Sequence, residues 1–341
     1  MSHQHLQFGL LCVKIHRMKT ESGYYRLKKG KTVAYVNEKN HQISAKGILN
    51  WIESLVVPPA WSDVWISKDK DAYMLATGYD NSGRKQYIYH PRWELVRESN
   101  KLVRMIRLGK SLPKIRKTLQ ADLSQSALTR TRVLAAVVSV LDQTGARIGN
   151  DEYTQENGSY GISTIRKKHV SGNDKKNFSY KGKSGKDQSI DITDSNVIKV
   201  IQECEETAGY ELFKYVNEDK QKHDVHSDEV NEYIKLISGQ SITAKDFRTW
   251  FGTTTALEKC IELGDCKEAS KKAHLKSIFK CAAKALGNTP KIAETSYVHS
   301  SVIEAHITNT ITVSPSRAKW QSSAEITLLE MLNLYKKSEN P

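Results

Sequence analysis

The sequence has little that could staple a chain, anchor it or hold a cofactor. Its five cysteines (Cys12, Cys204, Cys260, Cys266 and Cys281) are odd in number and form no CxxC pair. That argues against a disulfide framework and fits reduced thiols in a reducing compartment. No Cys and His spacing reads as a metal-ligand motif, and the histidines at 169, 223, 226, 274, 299 and 306 read as surface or packing residues. No stretch approaches the ~18 apolar residues of a membrane span, and Phe8 to Val13 is too short and too poorly flanked for a signal peptide. A phosphate-binding GxxxxGK(S/T) loop is missing, since Gly182-Lys183-Ser184-Gly185-Lys186 lacks its spacing. No acidic pair marks a two-metal site; Asp187, Asp191 and Asp194 read as hairpin and cap residues. There is no internal repeat and no low-complexity tract. These absences leave a soluble, cytoplasmic chain as the expectation.

Positive charge is what the sequence has in excess. The 341 residues suffice for two domains and a sizeable core. Lys plus Arg number 52 against 38 for Asp plus Glu, a formal charge of +14 and a pI of about 9.3. A polyanionic partner follows, nucleic acid ahead of a membrane surface.

The texture of the chain divides it. Residues 1–23 are mixed and polar, an N-terminal extension. Residues 24–96 are strand-like: Tyr24 to Leu27, Thr32 to Val36, Val64 to Ile66, Tyr73 to Thr77 and Gln86 to Tyr89 are strand candidates. One short amphipathic helix around Ile48 to Leu55 is stopped by Pro58-Pro59. Trp61, Trp65 and Trp93 read as core of this small domain. From 97 to 315 the spacing is helical, with Trp93 to Leu108, Pro113 to Leu123 and Thr129 to Leu141 as separate helices. Phe178 to Tyr180 and Ser189 to Ile192 bracket a Gly/Lys-rich turn, so a β-hairpin interrupts the helical domain. Asn217 to Asp224 reads as a charged surface loop. Residues 316–341 form a tail with an amphipathic helix from Ala324 to Tyr335. The fold class is therefore α+β, a small β-rich N-terminal domain followed by a larger, mainly α-helical one.

The chemistry-bearing residues lie in the larger domain. Arg147, in a turn dense in Gly, Asn and Arg, is followed by Lys183, Arg248, Asn288 and Tyr297. A tyrosine with an ordinary pKa near 10 is a modest nucleophile, and a phosphodiester is anionic and repels attack. Arginine forks can neutralise phosphoryl oxygens as the transition state forms. A lysine on a flexible hairpin can protonate the departing 5′ oxygen. The set could therefore break and rejoin a phosphodiester. By spacing alone the alternative stays open that Arg147 and Arg248 are surface or ion-paired arginines and Tyr297 a packed helix residue, because the chain has 15 tyrosines.

The motifs around these residues resemble the type IB DNA topoisomerases, in their compact poxvirus-like and bacterial branch. Pro58-Pro59-Ala60-Trp61 with Asp63-Val64-Trp65, Ala76-Thr77-Gly78, and Gly83 to His90 resemble that branch's N-terminal signatures. Arg147-Ile148-Gly149-Asn150, Gly182-Lys183, Thr243 to Thr249 and Ser296-Tyr297 fall in the family's order. The resemblance runs from about Tyr24 to His306. It implies the tyrosine recombinase/topoisomerase IB-like fold, with Arg147 and Arg248 as the catalytic arginines, Lys183 as general acid and Tyr297 as the nucleophile of a 3′-phosphotyrosyl link. Asn288 stands where many members carry histidine; its amide can donate a neutral hydrogen bond but cannot shuttle a proton. Leu75 departs from the glutamine expected before Ala76-Thr77-Gly78, which touches one N-terminal DNA contact.

The implied activity is relaxation of positive and negative supercoils by a monomer clamping double-stranded DNA, associated with the nucleoid, with no ATP, metal or other cofactor. DNA contacts are expected from Arg84, Lys85, Gln86, Tyr87 and Tyr89, from Arg166, Lys167 and Lys168, and from Lys186, which is also the chief rival of Lys183. The nearest alternatives are a tyrosine recombinase or integrase, and a catalytically inactive DNA-binding relative. Recombinases typically carry histidine where this chain has Lys245, three residues before Arg248.

Overall fold

Alternation of apolar and polar residues, interrupted by turn-forming residues, builds the N-terminal part. The computed structural model describes residues 22–339 except 30, 31, 151–153, 155, 156, 317 and 318. The N-terminal extension lies almost wholly outside the described residues. Five strands, β1 (Gly23–Lys29), β2 (Thr32–Asn37), β3 (Ser62–Ser67), β4 (Met74–Tyr79) and β5 (Lys85–Tyr89), pair antiparallel in the order β2-β1-β3-β4-β5. Helix α1 (Lys46–Ser54) contributes Ile52, which is buried with Val64, Ile66 and Ala76 against Trp51, Trp61 and Ile88. Burial of these apolar groups drives the sheet together. Leu75 is buried in β4, with a register irregularity beside it. Its apolar side chain suits that interior position, where a glutamine would need hydrogen-bond partners. The β4–β5 turn is organised by Asp80, which accepts from the backbone of Ser82 and Arg84 at 2.9 and 3.0 Å.

Helix α2 (Pro91–Leu123) is continuous, which corrects the reading of separate helices broken before Pro113. Proline in a helix interior removes one backbone donor and leaves the carbonyl four residues earlier without its bond. Here that carbonyl belongs to Gly109, and the side chain of Gln321 donates to it at 2.8 Å. Gly109 also leaves room for Trp250, whose ring would lie 2.5 Å from a Cβ at that position. A contact with a residue over 200 positions away replaces the missing bond, so local rules stop the helix too early.

The chain divides into two compact units between Lys101 and Leu102. In the second unit α3 (Arg130–Thr144) is buried from Arg132 to Leu141 and forms the centre of the core. The Thr129 side chain caps its start by accepting from Arg132 N, and Gly145 ends it at φ 59°. Arg116 of α2 joins Asp142 of α3 and Glu325 in paired bonds. Strands β6 (Val170–Ser171), β7 (Lys176–Lys181) and β8 (Asp187–Ile192) form a small sheet, β7 and β8 being antiparallel around residues 182–186. Helix α4 (Ser195–Glu206) follows. Strands β9 (Lys214–Val216) and β10 (Lys222–Asp224) then pair across a tight turn. The stretch expected to be a loop from Asn217 to Asp224 is thus partly strand. Its polar residues hide the pairing, which the bond from the Lys214 ammonium to Asp224 reinforces. Helices α5 (Ser227–Ser238), α6 (Ala244–Leu263) and α7 (Lys271–Ala285) lead to a short helical stretch, Pro290 to Tyr297, whose last five residues form a π turn. Helices α8 (Ser300–Ile307) and α9 (Ser323–Glu339) complete the described chain.

Candidate active site

Arg147 follows directly on the end of α3. The turn carrying it is fastened from the far side: Ile162 N donates to Arg147 O at 2.9 Å and Ser163 N to Ile148 O at 2.6 Å. Gly161 lies against it so closely that a Cβ there would meet Gly149 N at 2.4 Å. A fixed backbone therefore presents the half-buried Arg147 side chain, whose Nη2 donates to Asn288 Oδ1 at 2.7 Å.

Asn288 is held past the end of α7. Its N–H donates to Ala283 O at 2.8 Å, and Gly287 before it has a φ of 59°. Gln188 of β8 rests on Gly287, where a Cβ would stand 2.1 Å from Gln188 Oε1. That packing brings the β7–β8 hairpin beside Asn288. Lys183 is exposed on the turn of this hairpin and Lys186 is half-buried. The turn is closed by Gly182 N donating to Lys186 O at 2.8 Å.

Arg248 is 4% exposed. Helix α6 positions it through a capping arrangement in which Asp246 accepts from both N and Oγ1 of Thr243, at 2.7 and 3.0 Å. Its two terminal nitrogens donate to the carbonyls of Gly145 and Leu286. Arg248 Nε and Asn288 Nδ2 are buried with no hydrogen-bond partner in the protein. Burial and the neighbouring Arg147 lower the Arg248 pKa, against the phenols of Tyr297 and Tyr180, which raise it.

Tyr297 ends the π turn, in which Val298 N donates to Ala293 O at 2.9 Å. Such turns recur at functional sites. Thr253 Oγ1 donates to Tyr297 O at 2.7 Å and accepts from His299 N at 3.3 Å, so one hydroxyl fixes the backbone on either side. The Arg248 guanidinium carbon lies 4.9 Å from the centre of the Tyr297 ring. Burial pushes the Tyr297 phenol up, but Arg248, with help from Arg147 and Lys245, outweighs it and leaves the pKa below 10. The reverse holds for Tyr180 on β7, which feels the same two arginines. There burial wins, and the phenol is pushed up to about 12. Two tyrosines near one arginine pair are thus set apart, one eased toward phenolate and the other held protonated.

Two family models match the chain: eukaryotic DNA topoisomerase I, catalytic core, over residues 82–322, and bacterial DNA topoisomerase IB, N-terminal domain, over residues 32–80. The DNA topoisomerase 1B of Acanthamoeba polyphaga mimivirus is 31% identical over 298 residues, covering 84% of this chain and 88% of that protein. The chain belongs to the type IB DNA topoisomerases. It is an isomerase whose substrate is DNA, and its N-terminal domain is of the bacterial type.

Within this topoisomerase the structure gathers Arg147, Asn288, Arg248 and Tyr297, and carries Lys183 and Lys186 on the hairpin beside Asn288. Sequence reasoning missed Tyr180, Thr253 and Gln188. Only the first had a signal, the alternation of buried Lys176, Phe178 and Tyr180 along β7. His299, two residues after Tyr297, is 3% exposed and caps α8, its Nδ1 accepting from Ser301 N at 3.2 Å.

The basic run is divided in its commitments. Arg166 stacks over Tyr160 at 5.6 Å and stands 3.7 Å from a Glu211 oxygen. The Lys167 ammonium donates to the carbonyls of Glu205 and Thr207 and so holds the loop, while Lys168 is exposed. In the N-terminal unit Lys85, Tyr87 and Tyr89 share the exposed face of β5 and Arg84 precedes them in the open. The Tyr87 and Tyr89 rings stack at 5.9 Å, and Trp93 continues the row 6.3 Å from Tyr89. Gln86, on the other face, spends its amide on Asp80 Oδ2 at 2.9 Å. Among the described residues no helix is long and apolar enough to cross a membrane.

Proposed function

We propose that this topoisomerase relaxes supercoils of both signs, acting as a monomer, by transient cleavage of one strand through Tyr297. Tyr297 gives up its phenol proton to solvent, and its oxygen attacks phosphorus and forms a P–O bond as the bond to the 5′ oxygen breaks, leaving a 3′-phosphotyrosyl link. Lys183 supplies the proton that the departing 5′ oxygen takes up. Strand swivelling releases torsion. The 5′ hydroxyl then attacks the phosphotyrosine, its proton returns to Lys183, and Tyr297 leaves and regains its proton from solvent. One diester is exchanged for another, so the cycle is nearly isoenergetic and its chemistry requires neither nucleotide nor metal.

The observation that carries this reading is the pair of unpartnered buried donors, Arg248 Nε and Asn288 Nδ2, beside a tyrosine whose pKa is lowered by an arginine. A buried donor without a partner costs about 1–3 kcal/mol. A phosphoryl group offers the acceptors that both lack, and Arg147 adds a third donor. Asn288 contributes hydrogen bonding only. Lys186, Lys168, Arg166, Arg84, Lys85, Tyr87 and Tyr89 hold the duplex, mostly through its phosphates, so binding weakens steeply with salt. Plasmid of each supercoil sign, incubated with the protein in EDTA without nucleotide, tests the reading. Relaxation of both signs is expected. Binding without relaxation would favour an inactive relative, and strand exchange between specific sites would favour a recombinase.

A further inference from the structure

Cys266, His274 and His306 are scattered in sequence, and their spacing suggests no metal motif. The fold brings them together. Their ligand atoms all lie within 4.8 Å of one another. His274 Nδ1 and His306 Nε2 face each other at 3.0 Å, with the rings stacked 5.2 Å apart. Cys266 and His306 are buried and His274 is half-buried. We infer that these three residues form a structural site for a transition-metal ion of the zinc class.

The geometry fits that class. In a tetrahedral zinc site with nitrogens at ~2.0–2.1 Å and sulfur at ~2.3 Å, two nitrogens stand roughly 3.3 Å apart and sulfur about 3.5 Å from each. The two imidazoles already meet that spacing. The sulfur has at most roughly 1.3 Å to close. One thiolate and two imidazoles select zinc or its neighbours over magnesium or calcium, which prefer oxygen. His306 also lines a cavity of about 130 Å³ with Cys260, Gly264, Asp265 and Ala305, room for a water as a fourth ligand. The Cys266 backbone is pinned beforehand: its N–H donates to Asn309 Oδ1 at 2.7 Å, and Asn309 Nδ2 donates back to Cys266 O at 3.3 Å. On binding, the hydrogen shared between the rings moves to the far nitrogen of its own imidazole, and the thiol proton leaves to solvent.

The site joins three parts of the second unit: the loop after α6, the first turn of α7 and the last turn of α8. Asn288 follows the other end of α7, and Tyr297 precedes the other end of α8. The ion would tie the outer ends of the two helices between which these residues are strung.

Titration of metal-free full-length protein with Co²⁺ is the test. The expected result is one ion per chain, a thiolate-to-cobalt charge-transfer band and tetrahedral visible bands, displaced by Zn²⁺. Cys266→Ser should lose the charge-transfer band and His274→Asn should weaken binding at least tenfold, while Cys281→Ser matches the parent. Stoichiometric Zn²⁺ should raise the melting temperature of the parent and not of Cys266→Ser. Should a variant fail to fold, X-ray absorption on the zinc-loaded parent decides alone: one sulfur and two imidazole scatterers are expected. Binding only at large excess, a charge-transfer band that survives Cys266→Ser, or an all-oxygen and nitrogen shell would overturn the inference and leave a hydrogen-bonded histidine pair.

Discussion

The surroundings of Tyr297 and the outer face of β5 use similar residue types in opposite ways. Near Tyr297 the arginine is 4% exposed, its two terminal nitrogens committed to backbone carbonyls from two different segments and its Nε left without a partner in the protein. On β5, Lys85, Tyr87 and Tyr89 stand in the open, and the tyrosine rings meet one another and, through Tyr89, Tyr73 and Trp93. The first arrangement is over-determined and fixes where charge sits before any substrate arrives, which is how electrostatic catalysis avoids reorganisation. The second is adaptable and suits a surface that grips a polymer of varied sequence. On the proposed reading, burial separates residues that set a rate from residues that set an affinity.

Four variants test that separation, and the largest effect belongs to Tyr297→Phe. It should abolish relaxation and the covalent protein–DNA species while salt-sensitive binding persists; residual relaxation would move the nucleophile elsewhere. Lys183→Ala should slow cleavage about 10²–10⁴-fold, and a substrate with sulfur in the 5′-bridging position should restore it, because a thiolate leaves without a proton. Lack of rescue would transfer the role to Lys186. Arg248→Lys should cost about 10²–10³-fold in single-turnover cleavage, since one ammonium cannot reach both carbonyls. It should also shift the pH profile. Arg248 favours the phenolate, so the parent's cleavage rate should reach half its plateau below pH 10, and the variant's midpoint should lie higher. An unchanged midpoint would show that Tyr297 is not the titrating group. Tyr87→Ala with Tyr89→Ala should weaken DNA binding by less than about tenfold, under ~1.4 kcal/mol, with the cleavage rate of bound DNA unaltered. A large loss of rate would erase the distinction between the two regions.

The sequence was most readable where neighbours decide structure. Gln86 to Tyr89 read as a strand, as β5 is, and Pro58-Pro59 marked the end of α1. It was least readable where distant residues decide. Pro113 stays inside a helix because of Gln321, β9 and β10 pair through residues that look like a loop, and the metal-ligand trio spans 40 positions from Cys266 to His306. The candidate active-site cluster shares this character. Arg147 and Asn288 are 141 residues apart and in contact. Motif resemblance pointed to them individually, whereas their convergence, the π turn under Tyr297 and the burial of Tyr180 near the same arginines follow only from tertiary packing.

The bond from Gln321 to Gly109 has a practical consequence for anyone shortening this chain. A truncation ahead of Gln321 would strip a buried carbonyl of its replacement donor, and with Glu325 it would take the carboxylate that Arg116 and Trp250 both hold. The C-terminal segment thus works as a keystone for α2 rather than as a dispensable tail. A minimal catalytic fragment that omits it should express as an unstable, aggregation-prone protein, however complete its catalytic residues.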